Sequence, residues 1–468
     1  MATSNCKLLH SLFRLPGGVK VIDVIRHPHL FEYSVTFPLN RACPVCGGNS
    51  TVIKGHSENS RIHHLPISEY GTFIRFDQTR LLCKDCKITF WYRPDWIHPH
   101  LDITMPLYHK IVLELCAHQA TPKIASNCGV SQDMIFGVLN DLIIDHPNQL
   151  PEALGIDEFS GDVYTDPKAQ KQKTKLLVNI SDLSCLPERD PDERGRSSWI
   201  IDVLPDTSLA YLKSFFMENY TLEQRKAVRY FCCDMHGGFI QLARTVFPDA
   251  AICFDMFHIV KRLNKAINDT RLRVQRSFFD YKEGRRVFKD GMKQEYEFLQ
   301  RASRILLINE IDRPIISQFI KDRLAHCYEL SSDICIVRDA VQEFHELKTG
   351  HIISGTDLRP RLLEEWIVRH KDSDVPELKD VVLSIRKWQP YICNTWKHIC
   401  SNASCEGLNR EIKDVKRVAC GFNRFDSFRK RILLTCGPYK LEYQSFSIRS
   451  EKNSIVETYH LSSTQEKR

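Results

Sequence analysis

The chain has 468 residues, of which 43% are hydrophobic and 26% charged, a composition ordinary for a globular protein of roughly three domains. Its formal net charge of +7 permits a nucleic-acid partner, and it carries no apolar run of membrane-spanning length and no signal-peptide core, so we expect a cytoplasmic protein. Eighteen cysteines without an export signal indicate reduced thiols and one metal site, and argue against a secreted disulfide scaffold.

The N-terminal segment, to about residue 40, combines a helical start with an alternating stretch, HLFEYSVTF, that is typical of a strand. Two Cys-x-x-Cys pairs follow, and their spacing predicts two tight knuckles around one structural Zn²⁺. Between them, TFIRFDQTRLL predicts a strand of a β-hairpin. The expected zinc ligands are Cys43, Cys46, Cys83 and Cys86. The alternatives are four unrelated buried cysteines, or a site where one of three intervening histidines replaces a sulfur: His56, His63 or His64.

Residues 121–143, TPKIASNCGVSQDMIFGVLNDLI, predict a helix-turn-helix. Ala125 allows two helices to approach closely, Gly129 supplies the turn, and Ser131 can cap the second helix. The exposed face of that helix would enter a major groove. The residues expected to contact DNA here are Lys123, Ser131, Gln132 and Asp133. The alternative is a helical hairpin that makes no DNA contact.

A strand-rich region begins at GIDEFSGDVYTD and continues through TKLLVNISDL, SSWIIDVL and AVRYFCCD. Asp157 and Asp234 each lie at the end of an apolar run, where a sheet would hold a carboxylate rigidly enough to bridge two Mg²⁺ ions. Each aspartate could instead be a surface or capping residue. In CFDMFHIVKRLN, Asp255 and His258 lie where a strand passes into a helix, either as an N-cap with its histidine or as a brace for the metal site.

Residues 261 to about 395 are charged and mostly helical in pattern. Pro314, Pro360, Pro376 and Pro390 are expected to separate this region into several helices. From 261 to 293 there are eleven Lys/Arg and four Asp/Glu, which suits a DNA-binding surface that includes Lys261 and Arg262.

The segment SNASCEGLNREIKDVKR, residues 401–417, predicts an amphipathic helix. Leu408, Ile412 and Val415 form its apolar side. On the opposite side, helical spacing brings together a carboxylate, an amide and cations, namely Glu406, Asn409, Arg410 and Lys413, with Arg417 one turn further on. Such a helix could hold a metal ion against a phosphate, although Glu406 could equally be an ordinary solvated charge.

Taken together, the motifs resemble the ISL3 family of bacterial insertion-sequence transposases, in the family's order over roughly residues 40–435. CPVCGG with CKDC is similar to its zinc ribbon, and residues 107–143 to its helix-turn-helix. GIDEFS, FCCDMHGGF and SNASCEGLNREIKDVKRVACGFNRFDSFRKRILL resemble its three acidic motifs, which makes Asp157, Asp234 and Glu406 the expected catalytic, Mg²⁺-binding triad. DMFHIVKRLNKAI resembles the motif after the second aspartate, so Asp255, His258 and Asn409 would support that site.

The resemblance implies a multidomain α+β chain in which a zinc ribbon and a helix-turn-helix precede an RNase-H-like α/β catalytic domain interrupted by an all-helical insertion. The expected segments are an N-terminal segment 1–40, the zinc ribbon 41–100, the helix-turn-helix domain 101–148, the first catalytic part 149–262, the insertion 263–395, the last catalytic part 396–435 and a tail 436–468.

The expected function is that of a DNA transposase that binds terminal inverted repeats, cleaves the strands with two Mg²⁺ or Mn²⁺ ions per active site, and joins the freed end to target DNA. We expect at least a dimer on double-stranded DNA in the bacterial nucleoid, with neither a membrane nor a nucleotide cofactor as partner. Two alternatives are a DNA-binding regulator with an inactive remnant of the catalytic fold, and a nuclease that cuts without joining.

Overall fold

The computed structural model describes residues 15, 18–165, 172–184, 198–282, 285–313, 315–349, 352–353, 356–398, 403–418 and 424–437. The side chains at 162–165, 172–175, 282, 352–353, 356 and 403–406 lie outside the described part. The expected helical start and the tail after 437 lie outside it too. The chain divides into two compact units. The terminal unit comprises Met1–Pro147, Trp199–Pro205 and Leu408–Arg468, and the central unit Asn148–Ser198 and Asp206–Gly407.

The terminal unit begins with a sheet whose strands are β1 (Lys20–Arg26), β2 (Leu30–Thr36), β3 (Thr51–Ile67), β4 (Tyr70–Cys83) and β5 (Thr89–Trp91). The order is β1-β2-β4-β3, with β5 also paired to β4. Strands β2 and β4 run parallel, and the other neighbours run antiparallel. The predicted strands and the hairpin between the cysteine pairs are confirmed. They form because alternate residues, such as Tyr33, Ile62 and Ile74, pack into one apolar core.

Three helices follow in the terminal unit: α1 (Met105–Cys116), α2 (Thr121–Cys128) and α3 (Gln132–Asp141). Gly129 ends α2 with a φ of 65°, a conformation that favours glycine. The Ser131 side chain accepts a hydrogen bond from the Met134 N–H at 3.2 Å and caps α3. Ala125, Ile135 and Val138 are buried. The predicted helix-turn-helix geometry is therefore confirmed.

The central unit contains a mixed sheet. Its first two strands, β6 (Ala153–Thr165) and β7 (Gln172–Asp182), form an antiparallel hairpin. Strand β8 (Trp199–Leu204), next along the chain, belongs to the terminal unit. Strands β9 (Tyr230–Cys233) and β10 (Ala251–Phe254) run parallel to β6, which gives the order β10-β9-β6-β7 within this unit. Helices α4 (Leu209–Asn219), α5 (Leu222–Lys226), α6 (Gly237–Val246) and α7 (Met256–Ser277) connect and extend these strands.

The region after α7 consists mainly of helices: α8 (Met292–Arg301), α9 (Ser303–Leu306), α10 (Gln318–Leu330), α11 (Ser332–Lys348), α12 (Arg359–His370) and α13 (Pro376–His398). The prediction of an all-helical insertion was wrong. Two short antiparallel hairpins interrupt it, β11 (Phe279–Lys282) with β12 (Arg285–Phe288), and β13 (Ile352–Ile353) with β14 (Thr356–Asp357).

Pro390 was also predicted wrongly, because it lies inside α13 and does not end it. A proline in a helix interior costs about 3 kcal/mol. The helix buries Val382 and Ile385 before the proline and Ile392 and Trp396 after it. Since each such side chain contributes about 1.5–3 kcal/mol on burial, packing on both sides of Pro390 outweighs the break. Pro360 and Pro376 stand at helix starts as expected, and Pro314 lies outside the described residues.

The last helices are α14 (Ala403–Val418) and α15 (Phe425–Cys436). The apolar side predicted for α14 is confirmed, because Leu408, Ile412 and Val415 are buried. In α15, Arg429 binds Asp202 of β8 at 2.5 Å. The buried Arg431 donates to the carbonyls of Leu115, Ala117 and Gln119 at the end of α1. Arg429 and Arg431 are therefore used for contacts inside the terminal unit.

No helix in the described part of the chain is long and apolar enough to span a bilayer.

Candidate functional site

The four cysteines predicted to bind zinc converge in the terminal unit, with their sulfur atoms all within 4.8 Å of one another. Cys43 Sγ lies 3.5 Å from Cys86 Sγ, and Cys46 Sγ lies 3.6 Å from Cys83 Sγ. Tetrahedral Zn²⁺ with Zn–S bonds near 2.3 Å requires sulfurs about 3.8 Å apart. The thiols therefore fit one four-coordinate zinc, and the histidines between the pairs are not members of this cluster.

Two similar knuckles hold these sulfurs. The Cys43 N–H donates to the Gly48 carbonyl and the Cys83 N–H donates to the Ile88 carbonyl, each at 2.9 Å. The residue after each second cysteine has a left-handed backbone, with φ 70° at Gly47 and 61° at Lys87. Backbone N–H groups of Cys46 and Val45 lower the pKa of Cys43 to about 6, which favours the thiolate that a metal needs.

Three aspartates lie at one level of the central sheet. Gly155 of β6 pairs with Cys232 of β9, and Asp157 and Asp234 each follow two residues later. Cys253 of β10 also pairs with Cys232, and Asp255 follows two residues later. Because parallel strands in register carry equivalent side chains on the same face, the three carboxylates line up across the sheet. Asp234 and Asp255 directly follow β9 and β10, whereas Asp157 lies within β6, which continues to Thr165. We call Asp157, Asp234 and Asp255 the acidic row.

Burial and mutual repulsion make the acidic row electrostatically costly. Asp157 is 6% exposed and Asp255 is 3% exposed. Burial, followed by the negative charge of Asp234, raises the pKa of Asp157 to about 7. Glu158, which is half-buried beside it, also has a raised pKa, again chiefly through burial. Like-charged carboxyl groups kept this close indicate a site that binds a cation.

His258 stands between two members of the row. Its Nδ1 lies 2.8 Å from Asp234 Oδ1 and 3.0 Å from Asp255 Oδ2. Burial lowers the pKa of this histidine, but the two carboxylates outweigh burial and raise the pKa to about 10. Asp255 Oδ1 also accepts a hydrogen bond from the Phe257 N–H at 3.0 Å and caps α7. Asp255 therefore combines both roles considered from the sequence, a helix cap and a neighbour of the acidic site.

The row fits a hard divalent cation. One ring N–H cannot point at two oxygens, and within the described residues Asp234 Oδ1 is buried without a well-directed hydrogen bond. Asp234, Asp255 and His258 place their ligand atoms within 4.8 Å of one another. Carboxylate oxygen is the ligand that Mg²⁺ prefers, and Asp234 and Asp255 supply it within this group, while Asp157 lies on the neighbouring strand outside it.

The expected third carboxylate, Glu406, lies on α14 at the end of the central unit. Its side chain is outside the described part, so its predicted convergence with the row stays a prediction. Further along α14, Asn409 is half-buried, and Arg410, Lys413 and Arg417 are exposed.

The other residues predicted to contact DNA are also on the surface. Lys123, Ser131, Gln132 and Asp133 are exposed in the helix-turn-helix, and Lys261 and Arg262 are exposed on α7. Arg262 donates to Ser384 Oγ at 3.0 Å. Their contacts with DNA stay a prediction.

The sequence interpretation undervalued Asp255 and missed Glu158. The signal for Asp255 was present in the sequence, because the apolar runs YFCC and AICF both end at an aspartate. Two parallel strands in register turn that repetition into neighbouring carboxylates. For Glu158 the sequence shows only an acidic neighbour of Asp157, so no pattern distinguished it from a solvated charge.

Comparison with known proteins gives two family matches. A model described as transposase, of the ISL3 type, matches residues 154–432, which is more than half of the chain. A second, described as the zinc-finger of transposases IS204, IS1001, IS1096 and IS1165, matches residues 40–86. A transposase for insertion sequence element IS1001 from Bordetella parapertussis is 20% identical over 401 residues, which covers 83% of this chain and 87% of that protein. The matched regions contain the acidic row and the four cysteines.

Proposed function

Because the chain belongs to the ISL3 family of transposases, we propose that it binds the terminal inverted repeats of an insertion sequence and catalyses metal-dependent strand cleavage and strand transfer. The proposal assigns Asp157, Asp234 and Glu406 as a D, D, E triad. The observation that carries it is the acidic row, in which Asp157 and Asp234 occupy equivalent positions on adjacent parallel strands.

An RNase-H-like fold for residues 149–262 and 396–435, with an insertion at 263–395, is part of the proposal. The strand order β10-β9-β6-β7 supports it, with antiparallel β7 on one side of β6 and the parallel strands β9 and then β10 on the other. In that arrangement the central strand β6 carries Asp157, and its parallel neighbour β9 leads directly to Asp234.

In the proposed site, the carboxylates and His258 have separate roles. Asp157, held within β6, and Asp234, directly after β9, would bind the metal, and Glu406 would add a ligand from α14. Bound Mg²⁺ or Mn²⁺, two ions per site, supplies activation of the attacking oxygen and stabilisation of the leaving oxygen. Protonated His258 holds Asp255 in place and offsets its negative charge. The net negative charge of the site is then smaller, and two divalent cations could balance it. The attack is an in-line displacement at phosphorus and needs no covalent protein intermediate.

Recognition of the DNA ends is assigned to the terminal unit. Its helix-turn-helix presents Lys123, Ser131, Gln132 and Asp133 at the surface for a major groove. The zinc ribbon is held by one Zn²⁺ that leaves no open coordination position, so its role is structural. Exposed cations on α7 and α14 would bind the DNA backbone, and association would weaken steeply with salt. We further propose that the protein acts as at least a dimer on DNA in the nucleoid.

A regulator with an inactive catalytic remnant is less well supported. A DNA-binding protein without catalysis gains nothing from burying Asp157 beside Asp234, because burial raises the free energy of each ionised carboxylate. The free-energy cost of burying these carboxylates together is offset if the site binds cations, which favours a metal-binding site. A nuclease that cuts without joining would use the same row, so only the reaction products separate it from a transposase.

The test uses labelled duplexes that carry the DNA flanking the gene, with Mg²⁺ and the full chain. Wild type should release cut ends and then form joined product. Asp234→Asn should reduce cleavage to background, because a neutral amide cannot balance the charge of a divalent ion. Its affinity for the same duplex should stay within about twofold of wild type. The matched control is Asp249→Asn, an exposed aspartate in the loop before β10. Cleavage by Asp234→Asn would refute the triad, and cut ends without joined product would indicate a nuclease.

A further inference from the structure

A pocket of about 490 Å³ lies between α6 and α13 in the central unit, outside the acidic row. This is within the range of about 300–1,000 Å³ usual for ligand sites in proteins. Its lining combines cationic, aromatic and amide side chains around an exposed glycine: Gly237, Gln241, Arg244, Lys387, Trp388 and Tyr391. None of these residues has a role in the proposed cleavage chemistry.

The aromatic wall of the pocket is held in place from below. Trp388 and Tyr391 lie three residues apart on α13, so they share one face of the helix. Their ring centroids are 6.0 Å apart. The buried ring of Phe254 packs against both, with centroids 5.7 Å from Trp388 and 5.0 Å from Tyr391. Both rings remain half-exposed to the pocket, so the site offers a prearranged aromatic surface.

Two exposed cations border that surface. Lys387 Nζ lies 4.6 Å from the centre of the Trp388 ring. Arg244 donates to the Tyr391 hydroxyl at 2.5 Å, and its guanidinium lies 5.9 Å from that ring. An aromatic face beside cations is the combination that binds single-stranded nucleic acid, since the ring stacks on a base while the cation binds the phosphate. A purely structural aromatic cluster would not require an exposed cation beside each ring.

The pocket also lies beside the carboxylates. Gly237 follows Asp234 by three residues, so the two Cα atoms are at most about 11 Å apart. Phe254, which supports the aromatic wall, directly precedes Asp255 of the acidic row. A DNA strand whose phosphate reaches the row would therefore pass close to the pocket with its adjacent nucleotides.

From this juxtaposition we propose that the pocket binds one nucleobase, unstacked from the DNA strand next to the phosphate that is cleaved, against Trp388 and Tyr391. This rests on the proposed function for the identity of the DNA. Stacking on an aromatic ring is tolerant of base identity, because every base has a π face. The site would hold the strand in position at the end of the element without reading its sequence.

Photo-crosslinking tests the pocket without cleavage. The probes are a thymidine oligonucleotide that carries 5-iodouracil and a duplex of the flanking DNA with 5-iodouracil beside the cut position, both with Ca²⁺ in place of Mg²⁺. Peptide mapping of the full chain should locate the cross-link at Trp388 or Tyr391. Cross-links confined to the terminal unit, or absent from α13, would overturn the proposal.

Variants supply the second measurement. Trp388→Ala should weaken binding of the thymidine oligonucleotide about 5- to 150-fold, the loss expected for one stacked base, and should slow cleavage of the intact duplex similarly. Trp388→Phe keeps a ring and should recover most of both. With a duplex that has an abasic site at the unstacked position, wild type and Trp388→Ala should bind and cleave almost equally, because no base is left to stack. The control is Phe319→Ala, an exposed aromatic on α10 that is 65% exposed.

The outcomes separate the two proposals. Cross-links at α13 without any cleavage by wild type would retain the pocket as a nucleobase site and refute the proposed transposase chemistry. Normal cleavage by wild type and by Trp388→Ala, with no cross-link at α13, would leave the chemistry intact and refute the pocket. Equal losses in Trp388→Ala and Trp388→Phe, together with a lowered melting temperature in both, would show that Trp388 only packs, and would also refute it.

Discussion

The zinc ribbon and the acidic row both bring candidate metal ligands together, but they are assembled in different ways. The ribbon draws its four ligands from two short knuckles, and one hairpin brings the knuckles together. The acidic row draws one carboxylate from each of three strands, and only their parallel register aligns them. The ribbon therefore carries its ligand geometry in local spacing, whereas the geometry of the row depends on the tertiary fold.

The two sites also differ in how they affect stability. Backbone N–H groups lower the pKa of Cys43, while burial and the neighbouring thiols raise the pKa of Cys86, so the cluster favours one thiolate before metal binds. In the row, burial first and the negative charge of Asp234 second raise the pKa of Asp157. A structural site contributes folding free energy once zinc binds, while a catalytic site stores repulsion that a cation relieves. The predictions below test this contrast.

The largest effect is expected in the ribbon. Cys43→Ser should remove the bound zinc, about one per chain, and unfold the hairpin β3–β4, because structural zinc contributes about 10–16 kcal/mol to folding in small zinc domains. Metal analysis would measure the zinc, and limited proteolysis would show cleavage within residues 41–100 while the central unit resists. Cys335→Ser, on α11, is the matched control and should keep its zinc. Unchanged zinc in Cys43→Ser would contradict the four-cysteine site.

A smaller effect of opposite sign is expected in the acidic row. The pKa of Asp157 is about 7 in the folded chain and near 3.8 when exposed. The folded state therefore binds the proton more tightly than the unfolded state, and protonation of Asp157 stabilises the fold most at pH below about 4. Without divalent ions, this contribution is lost as pH rises from about 4 to about 7, by up to about 4 kcal/mol. Asp157→Asn should therefore melt higher than wild type at about pH 8 and similarly at low pH.

The same melting experiment tests the metal. Added Mg²⁺ at about pH 8 should raise the melting temperature of wild type, because binding adds about 2.7 kcal/mol to the free energy of unfolding at one hundred times the dissociation constant. It should have little effect on Asp157→Asn. Asp182→Asn, at the end of β7, serves as the control aspartate. If Asp157→Asn melted lower than wild type at about pH 8, the carboxylate would be structural, and the row would not store repulsion.

The contrast explains how much the sequence could predict. Cys-x-x-Cys spacing, the left-handed Gly129 and the Ser131 cap depend on a few neighbouring residues, and all were predicted correctly. The equivalence of Asp255 with Asp157 and Asp234 depends on how β6, β9 and β10 pair. The register of that pairing cannot be predicted from a local sequence pattern. Pro390 was misjudged for a related reason, because tertiary packing on both sides of the residue overrides a local helix breaker.

The charge of the C-terminal region shows the same limit. Residues 406–431 contain eight Lys/Arg and four Asp/Glu, an excess of positive charge that would suit contacts with phosphate. Arg429, Lys430 and Arg431 are instead bonded to Asp202 and to backbone carbonyls of the terminal unit. Burial lowers the pKa of Arg431 to about 10. A net charge counted along the sequence does not distinguish cations that face solvent from those that hold helices together.

The smallest expected effect concerns a purely local feature, the cap of α3. Ser131→Ala removes the acceptor for the Met134 N–H and should destabilise the helix by about 1 kcal/mol. Hydrogen exchange at the Met134 amide should accelerate about fivefold, while zinc content and cleavage by the central unit stay unchanged. Ser131→Asp restores an acceptor and should restore protection. Gln132→Ala, at the next position, which is exposed, should leave exchange unchanged but weaken binding to the terminal duplex, which separates a capping residue from one that contacts DNA.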